Sequence, residues 1–154
     1  MTDDVLCYLI AKLVFGLEAK RLTEANDDYC GYVSKYFNDD ELAEFYQNPS
    51  NNLGLRTNEY IIVNDGVDIR KWNGTEFVQL NEKIGKTNMF GTVKARDIYQ
   101  RMLIDSFNTN QITMVKGPAG TGKTYLALAY YMWLLEKHLI DKIIIFCNPV
   151  AAAY

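Results

Sequence analysis

The sequence is poor in the residues that build disulfide, imidazole and metal-thiolate chemistry. Its 154 residues hold three cysteines and one histidine. Cys7, Cys30 and Cys147 form no CxxC pair and stand at no metal-ligand spacing, and an odd number leaves no closed disulfide framework. Such usage is expected of a protein kept in a reducing compartment, the cytoplasm. His138 has no Cys or carboxylate at metal spacing and reads as a cation suited to a helix C-terminus. Long hydrophobic runs are also lacking. The longest uncharged apolar stretch, Tyr125 to Leu135, is about half of the roughly 20 residues a membrane-spanning helix needs. The opening Met1-Thr2-Asp3-Asp4 is acidic where a signal peptide would be basic. Finally, negative charge is scarce late in the chain. After Lys123 the only carboxylates are Glu136 and Asp141, and no arginine follows Arg101.

What is present is ordinary for a globular domain: 49% apolar and 23% charged residues, with a net charge of −3, which excludes a disordered or collagen-like chain. The charge is unevenly placed. Residues 1–82 carry −8 and residues 83–154 carry +5. A polyanion such as ATP or nucleic acid would be favoured beside the second half; drift in surface composition gives the same asymmetry.

Apolar periodicity places helices at Asp3 to Phe15, Asp39 to Tyr46, Ala95 to Phe107 and Lys123 to His138. Gly16 is placed to end the first, and Asn38 to cap the second. Residues 59–80 read as a three-stranded antiparallel meander with strands Tyr60–Val63, Val67–Trp72 and Thr75–Leu80, the last two joined by a two-residue Asn73-Gly74 turn. Residues 81–94 read as a basic linker whose Lys83, Lys86 and Lys94 are solvated or touch phosphates. Gln111 to Lys116 and Lys142 to Cys147 read as buried strands of a parallel sheet. Tyr130, Tyr131, Met132 and Trp133 read as core aromatics and their neighbour.

The sharpest chemical signal is Gly117-Pro118-Ala119-Gly120-Thr121-Gly122-Lys123-Thr124, which fits G-x-x-x-x-G-K-[ST] without a mismatch, between an expected strand and an expected helix. The glycines let the backbone curl so that successive N–H groups face phosphate oxygens. The helix start adds its positive end. Lys123 supplies a mobile cation for the β and γ phosphates, and the Thr124 hydroxyl a ligand for Mg²⁺. The plain alternative is a tight glycine turn with a solvated lysine. Gln100, on the preceding helix, offers a donor and an acceptor at once, which suits an adenine edge; on spacing alone a solvent-facing glutamine of an amphipathic helix is the better reading.

At these residues the chain resembles the PhoH-type ATPase family. The resemblance runs through Lys94 to Gln100, the octapeptide, Tyr125-Leu126-Ala127-Leu128-Ala129 and Ile143 to Val150. Members of that family are P-loop ATPases related in their core to helicases. Many are described as RNA helicases or phosphate-starvation proteins, and many are phage-encoded. The resemblance implies that Gln100 contacts adenine and that Arg96 lies on the nucleotide side. The sequence departs from the pattern at Ala95, where Pro is common, Asp97, where Asn is common, and Asn148, where Arg often precedes Pro-Val. Looser matches extend backward. Thr2-Asp3-Asp4-Val5 and Ala11 to Ala19 resemble the last acidic motif and following helix of a PIN nuclease domain, as found in PIN–PhoH fusions. Tyr29 to Tyr32, Phe45 to Pro49 and Asn58 to Ile62 resemble the joining segment. The resemblance implies that Asp4 is one metal-binding carboxylate of such a site. One carboxylate alone does not build it, and within this chain helix N-terminal charge is the better reading of Asp3 and Asp4.

The expected fold class is therefore α/β: an incomplete P-loop NTPase βαβ core at the C-terminus, preceded by a helical segment and a small meander. Residues 1–50 are expected to be the helical tail of a PIN-like domain, 51–94 the meander and linker, and 95–154 the start of the ATPase domain. No Walker B carboxylate follows an apolar strand and no arginine finger follows the loop. The chain is thus expected to bind ATP and Mg²⁺ without hydrolysing ATP alone, as an internal piece of a longer protein. Its expected partners are ATP, RNA, the remainder of the same protein and further copies of the chain. A non-enzymatic interaction module with a relic loop is the alternative. A small P-loop kinase ranks last, because more than a hundred residues precede the loop and no arginine-rich lid follows.

Overall fold

The computed structural model of the chain describes residues 9–18, 29–47 and 49–146. The chain divides into two compact units, Met1–Gly31 and Tyr32–Tyr154. Within the first unit, Ile10–Val14 forms a π-helical turn with no buried residue. Leu13, Val14 and Phe15 are exposed. Helical spacing at these positions therefore marks a stripe with no core beneath it in the described part of that unit. Asp3, Asp4 and Cys7 lie outside the described residues, and so do Cys147 to Tyr154.

The second unit is built on a four-stranded sheet in the order β1-β2-β3-β4, with β1 at Tyr32–Lys35, β2 at Tyr60–Val63, β3 at Asp68–Trp72 and β4 at Phe77–Gln79. β1 pairs parallel to β2, while β3 and β4 continue antiparallel. The expected three strands are thus part of a mixed sheet, and the polar, aromatic stretch around Tyr32 supplies its fourth. Parallel neighbours need a long crossover, and here it contains α1, Asp39–Gln47. Its N-terminus is a reciprocal cap: Glu41 N–H donates to Asn38 Oδ1 (2.9 Å) and Asn38 N–H donates to Glu41 Oε2 (3.0 Å).

β2 is buried at every position, because helices cover both faces. Ile61 and Val63 pack with Phe37, Phe45 and Leu55 on the α1 side. Tyr60 and Ile62 pack with Ile69 and Met102 on the other. Met102 belongs to α2, Ile98–Thr109. The reversal between β3 and β4 differs from the expected two-residue turn. Trp72 pairs with Phe77, leaving a loop of Asn73 to Glu76 whose Asn73 Oδ1 accepts from Thr75 N–H, Thr75 Oγ1 and Glu76 N–H. Only Gly74 of the pair takes positive φ. One asparagine side chain organising three donors replaces the compact turn.

Tyr46 of α1 and Arg70 of β3 both donate to Asp68 Oδ2, at 2.9 and 2.7 Å. Burial pushes the Asp68 carboxyl up, but the bonds from Arg70 and Tyr46, with the Arg70 charge, outweigh it and hold it below the ordinary carboxylate range. A carboxyl lowered on folding stabilises fully above its unfolded value and loses that contribution as pH falls through the folded value. The urea midpoint of the wild type should therefore exceed that of Asp68→Asn at pH 6, and the gap should close only as pH falls below the ordinary carboxylate range.

α3, Lys123–Glu136, lies against α2 through Leu126 and Ala129, which join Val93 and Ile104 in a third cluster with Ile84, Phe90, Leu103 and Phe107 around it. The segment 81–94 packs in part against these helices, while its Lys83, Lys86 and Lys94 are exposed. Thr87 and Val93 are buried, Asn88 N–H donates to Glu136 Oε1 and Oε2 (3.0 and 3.1 Å), and Asn108 Nδ2 donates to the carbonyls of Asn81 and Lys83. The strap lies so close to α3 that a Cβ at Gly85 would meet Trp133 Nε1 at 1.9 Å and Cδ1 at 2.3 Å. Gly85→Ala is expected to displace the indole and cost about 1–3 kcal/mol, read as a lower urea midpoint with altered tryptophan fluorescence. α3 ends in a Schellman-type cap: His138 N–H donates to Leu135 O and Leu139 N–H to Leu134 O (both 3.0 Å), with His138 at φ +55°.

The largest departure from expectation concerns the two parallel strands. Residues 112–118 and 142–146 carry no strand pairing. Ile112, Met114, Ile144, Ile145 and Phe146 are exposed, Met114 at 95% and Phe146 at 92%. An apolar strand is stable when neighbours satisfy its backbone and cover its faces. The four-stranded sheet is capped by α1 and α2 instead, and no described segment offers these two stretches a ladder.

Candidate phosphate-binding site

The octapeptide sits between the extended 112–118 stretch and α3. Gly122 is the N-cap of α3 in the left-handed region (φ +81°), and Gly120 repeats it (φ +80°). These two positions turn the chain back on itself at no steric cost, which a side chain would oppose. Leu126 N–H donates to Gly122 O (2.9 Å) as the first helical bond. Among the described residues, no backbone N–H from Gly117 to Tyr125 donates to a protein acceptor. A solvent-exposed run of donors therefore ends at a helix N-terminus, where partial positive charge collects.

Lys123 folds back over this turn. Its Nζ donates to Gly117 O (2.9 Å), to Thr121 Oγ1 (3.2 Å) and to Pro118 O. Thr121 Oγ1 donates to Pro118 O (3.0 Å). The ammonium is thus held on the loop by neutral acceptors, which anionic oxygens outbid. Thr124, the second helical residue, is exposed. Ala119 is exposed at the tip.

Gln100 comes to this loop across 21 residues. Its Nε2 donates to Thr121 O (3.2 Å), and its Oε1 accepts from Arg96 N–H (2.9 Å). The two partners fix the amide orientation, since one is a donor and the other an acceptor. α2 begins at Ile98 rather than near Ala95, because Asp97 is its N-cap and accepts from Gln100 N–H (2.8 Å). The signal for this was in the sequence as Asp-x-x-Gln, a relative of the capping box. Arg96, exposed, precedes the helix.

The fit to a nucleotide is good at the phosphates and sparse at a metal. Unpartnered N–H groups, two left-handed glycines, one ammonium and a helix start suit phosphate oxygens. For Mg²⁺ the loop offers the Thr124 hydroxyl. Glu136 is held by the Asn88 amide on the strap, and among the described residues no group of three His, Cys, Asp or Glu side chains converges. Asp4 lies outside the described residues. No helix of the described residues is long and apolar enough to cross a membrane.

What positions the site was not legible in the motif itself. Asp105, on α2, is fully buried and accepts from Lys71 Nζ (2.8 Å), Tyr60 Oη (2.7 Å) and Asn81 N–H (2.7 Å). Lys71 also donates to Thr109 Oγ1 (2.8 Å). This network clamps α2, and with it Gln100, onto β2 and β3.

A mixed α/β fold with a glycine-rich turn opening a helix at Lys-Thr is compatible with a partial P-loop NTPase. The comparisons with known proteins point the same way. Residues 92–153 match the family described as PhoH-like protein. PhoH-like proteins of Mycobacterium tuberculosis (strain ATCC 25618 / H37Rv) and Mycobacterium bovis are 37% identical to the chain over 54 residues. That of Mycobacterium leprae (strain TN) is 39% identical over 54. The aligned stretch is 35% of this chain and 15% of the tuberculosis and bovis proteins, or 16% of the leprae protein. The chain thus spans a small fraction of the length of the curated relatives it matches. No solved structure matches.

Proposed function

We propose that residues 117–124 bind the triphosphate of ATP with Mg²⁺, and that the chain is the nucleotide-binding portion of a PhoH-like ATPase. The observation that carries this is the run of unpartnered backbone N–H groups at the start of α3, with the Lys123 ammonium folded over it. In this reading Gly117, Pro118, Ala119, Gly120, Thr121 and Gly122 shape the cradle, Lys123 meets the β and γ oxygens, and Thr124 holds the metal. Gln100 keeps one lone pair on Oε1 and one hydrogen on Nε2 beyond its backbone partners, which suits the adenine amino group and ring nitrogen. Bound Mg²⁺ neutralises phosphate charge; the residues of this chain bind and orient.

Hydrolysis by the chain alone is expected to be negligible. Among the described residues no group of three His, Cys, Asp or Glu side chains converges, and Glu136 accepts from the Asn88 N–H on the 81–94 segment. The exposed apolar stretches at 112–115 and 144–146 support a partner that pairs with them, the remainder of a longer protein. RNA as a further ligand, and residues 1–50 as the end of a PIN domain with Asp4 as a metal ligand, rest on the resemblance alone. Titration with a fluorescent ATP analogue tests the reading: saturable, Mg²⁺-dependent binding displaced by unlabelled ATP is expected, and failure to displace contradicts it.

A further inference from the structure

We infer that Gln100 is a positioning residue of the phosphate loop, tying the base side of the site to the phosphate side through the Thr121 backbone. The inference rests on the phosphate reading above and adds a mechanical role to it.

The geometry exceeds what helix capping requires. Asp97 already caps α2 by accepting from Gln100 N–H, and Gln100 Oε1 takes one further donor, Arg96 N–H. Neither explains why Nε2 crosses to Thr121 O at 3.2 Å. The amide head also fills the space beside the left-handed N-cap of α3: a Cβ on Gly122 would stand 3.3 Å from Nε2. Thr121 is held from its other side as well, because its hydroxyl accepts from Lys123 Nζ (3.2 Å). The same residue thus offers its carbonyl to the base-side amide and its hydroxyl to the phosphate-side ammonium. Its N–H, with those of Gly120 and Gly122, belongs to the run that has no protein acceptor.

A glutamine anchored to rigid helix at one end and to the loop at the other restricts the loop before any ligand arrives. Pre-ordering of this kind raises affinity by removing an entropy cost from binding. The consequence is specific: Gln100 should matter to a ligand that has no base.

Magnesium tripolyphosphate, which carries phosphates and no adenine, is the probe. Its affinity is measured by calorimetry for the full chain as wild type, Gln100→Met and Lys123→Ala, and backbone order parameters of residues 119–122 are measured without ligand. The expected result for Gln100→Met is a loss of about three- to ten-fold in tripolyphosphate affinity, the worth of one hydrogen bond, with lower order parameters at Thr121 and Gly122. If Gln100→Met matches the wild type in both readouts while Lys123→Ala binds more weakly, the positioning role is overturned and the phosphate reading stands. A loss confined to ATP overturns the positioning role in the same way and leaves Gln100 a base contact only. If the wild type does not bind tripolyphosphate, or Lys123→Ala binds it equally, the phosphate reading fails and takes this inference with it.

Discussion

Asp105→Ala is expected to destabilise the chain by about 3–5 kcal/mol, the range for removing one partner of a buried ion pair. The cost comes from the charge left behind more than from the attraction lost. Lys71 is 4% exposed and Asp105 0%, so water does not reach the orphaned ammonium. Three donors lose an acceptor at once: Lys71 Nζ, Tyr60 Oη and Asn81 N–H. Lys71→Met should cost a similar amount, whereas Lys71→Met combined with Asp105→Leu should recover part of it, since no charge is then buried alone while Asn81 N–H still lacks its acceptor. Domains of this size have roughly 5–15 kcal/mol of stability in all, so the single variants should unfold at clearly lower urea, followed by circular dichroism. A loss below about 1 kcal/mol for either single variant would show that the pair is solvated. Because α2 carries both Asp105 and Gln100, the network links the sheet to the helix that touches the glycine-rich loop.

Lys123→Ala should weaken binding of Mg·ATP by about 10- to 150-fold, the worth of one charge-assisted hydrogen bond of roughly 1.5–3 kcal/mol. The fold should be unaffected. Every partner of Lys123 Nζ lies within the loop itself, at Gly117, Pro118 and Thr121, and none belongs to a core cluster. Circular dichroism and the urea midpoint should match the wild type while affinity falls. Coincident loss of both would mean that the lysine is a structural tie of the turn. The affinity loss should shrink as salt rises, because the site is exposed and the interaction is screened.

The parts of the fold that are legible in the sequence are those whose cause is local. Asn38 three residues before Glu41 writes a cap, and α1 begins where that cap places it. The uncharged run from Tyr125 to Leu135 marks α3 as a helix, but it is apolar almost all round, so that Leu126, Ala129 and Tyr130 form its inner face is seen only in the structure. The Tyr-Ile-Ile-Val run at 60–63 is apolar throughout because helices cover both its faces. What is not legible depends on partners distant in sequence. β1 is a strand because β2 offers it an edge, and nothing in Tyr-Val-Ser-Lys alone requires that. Gly85 reads as a linker glycine until Trp133 is found against it. Asp105 and Lys71 look like surface charges 34 residues apart, and they meet because the sheet register sets Lys71 beside Tyr60 and α2 packs on that face through Met102. The opposite holds at 111–116 and 142–147, where composition suits buried strands and no ladder is present among the described residues.

For the candidate site, residue chemistry is readable and residue geometry is not. The octapeptide announces a phosphate loop, yet the sequence does not reveal that Lys123 folds onto the loop's own carbonyls or that Gln100 bridges Arg96 and Thr121. Apolar periodicity alone carries α2 back to Ala95, past the Asp97 cap that sets its true start.

Backbone amide shifts on addition of Mg·ATP test the central claim most directly. Amides of Gly120, Thr121, Gly122, Lys123 and Thr124 should move together along one saturable curve, shared by the tripolyphosphate titration, while β1 to β4 remain still. Saturable binding whose shifts fall elsewhere, with these five amides unmoved, would contradict the account.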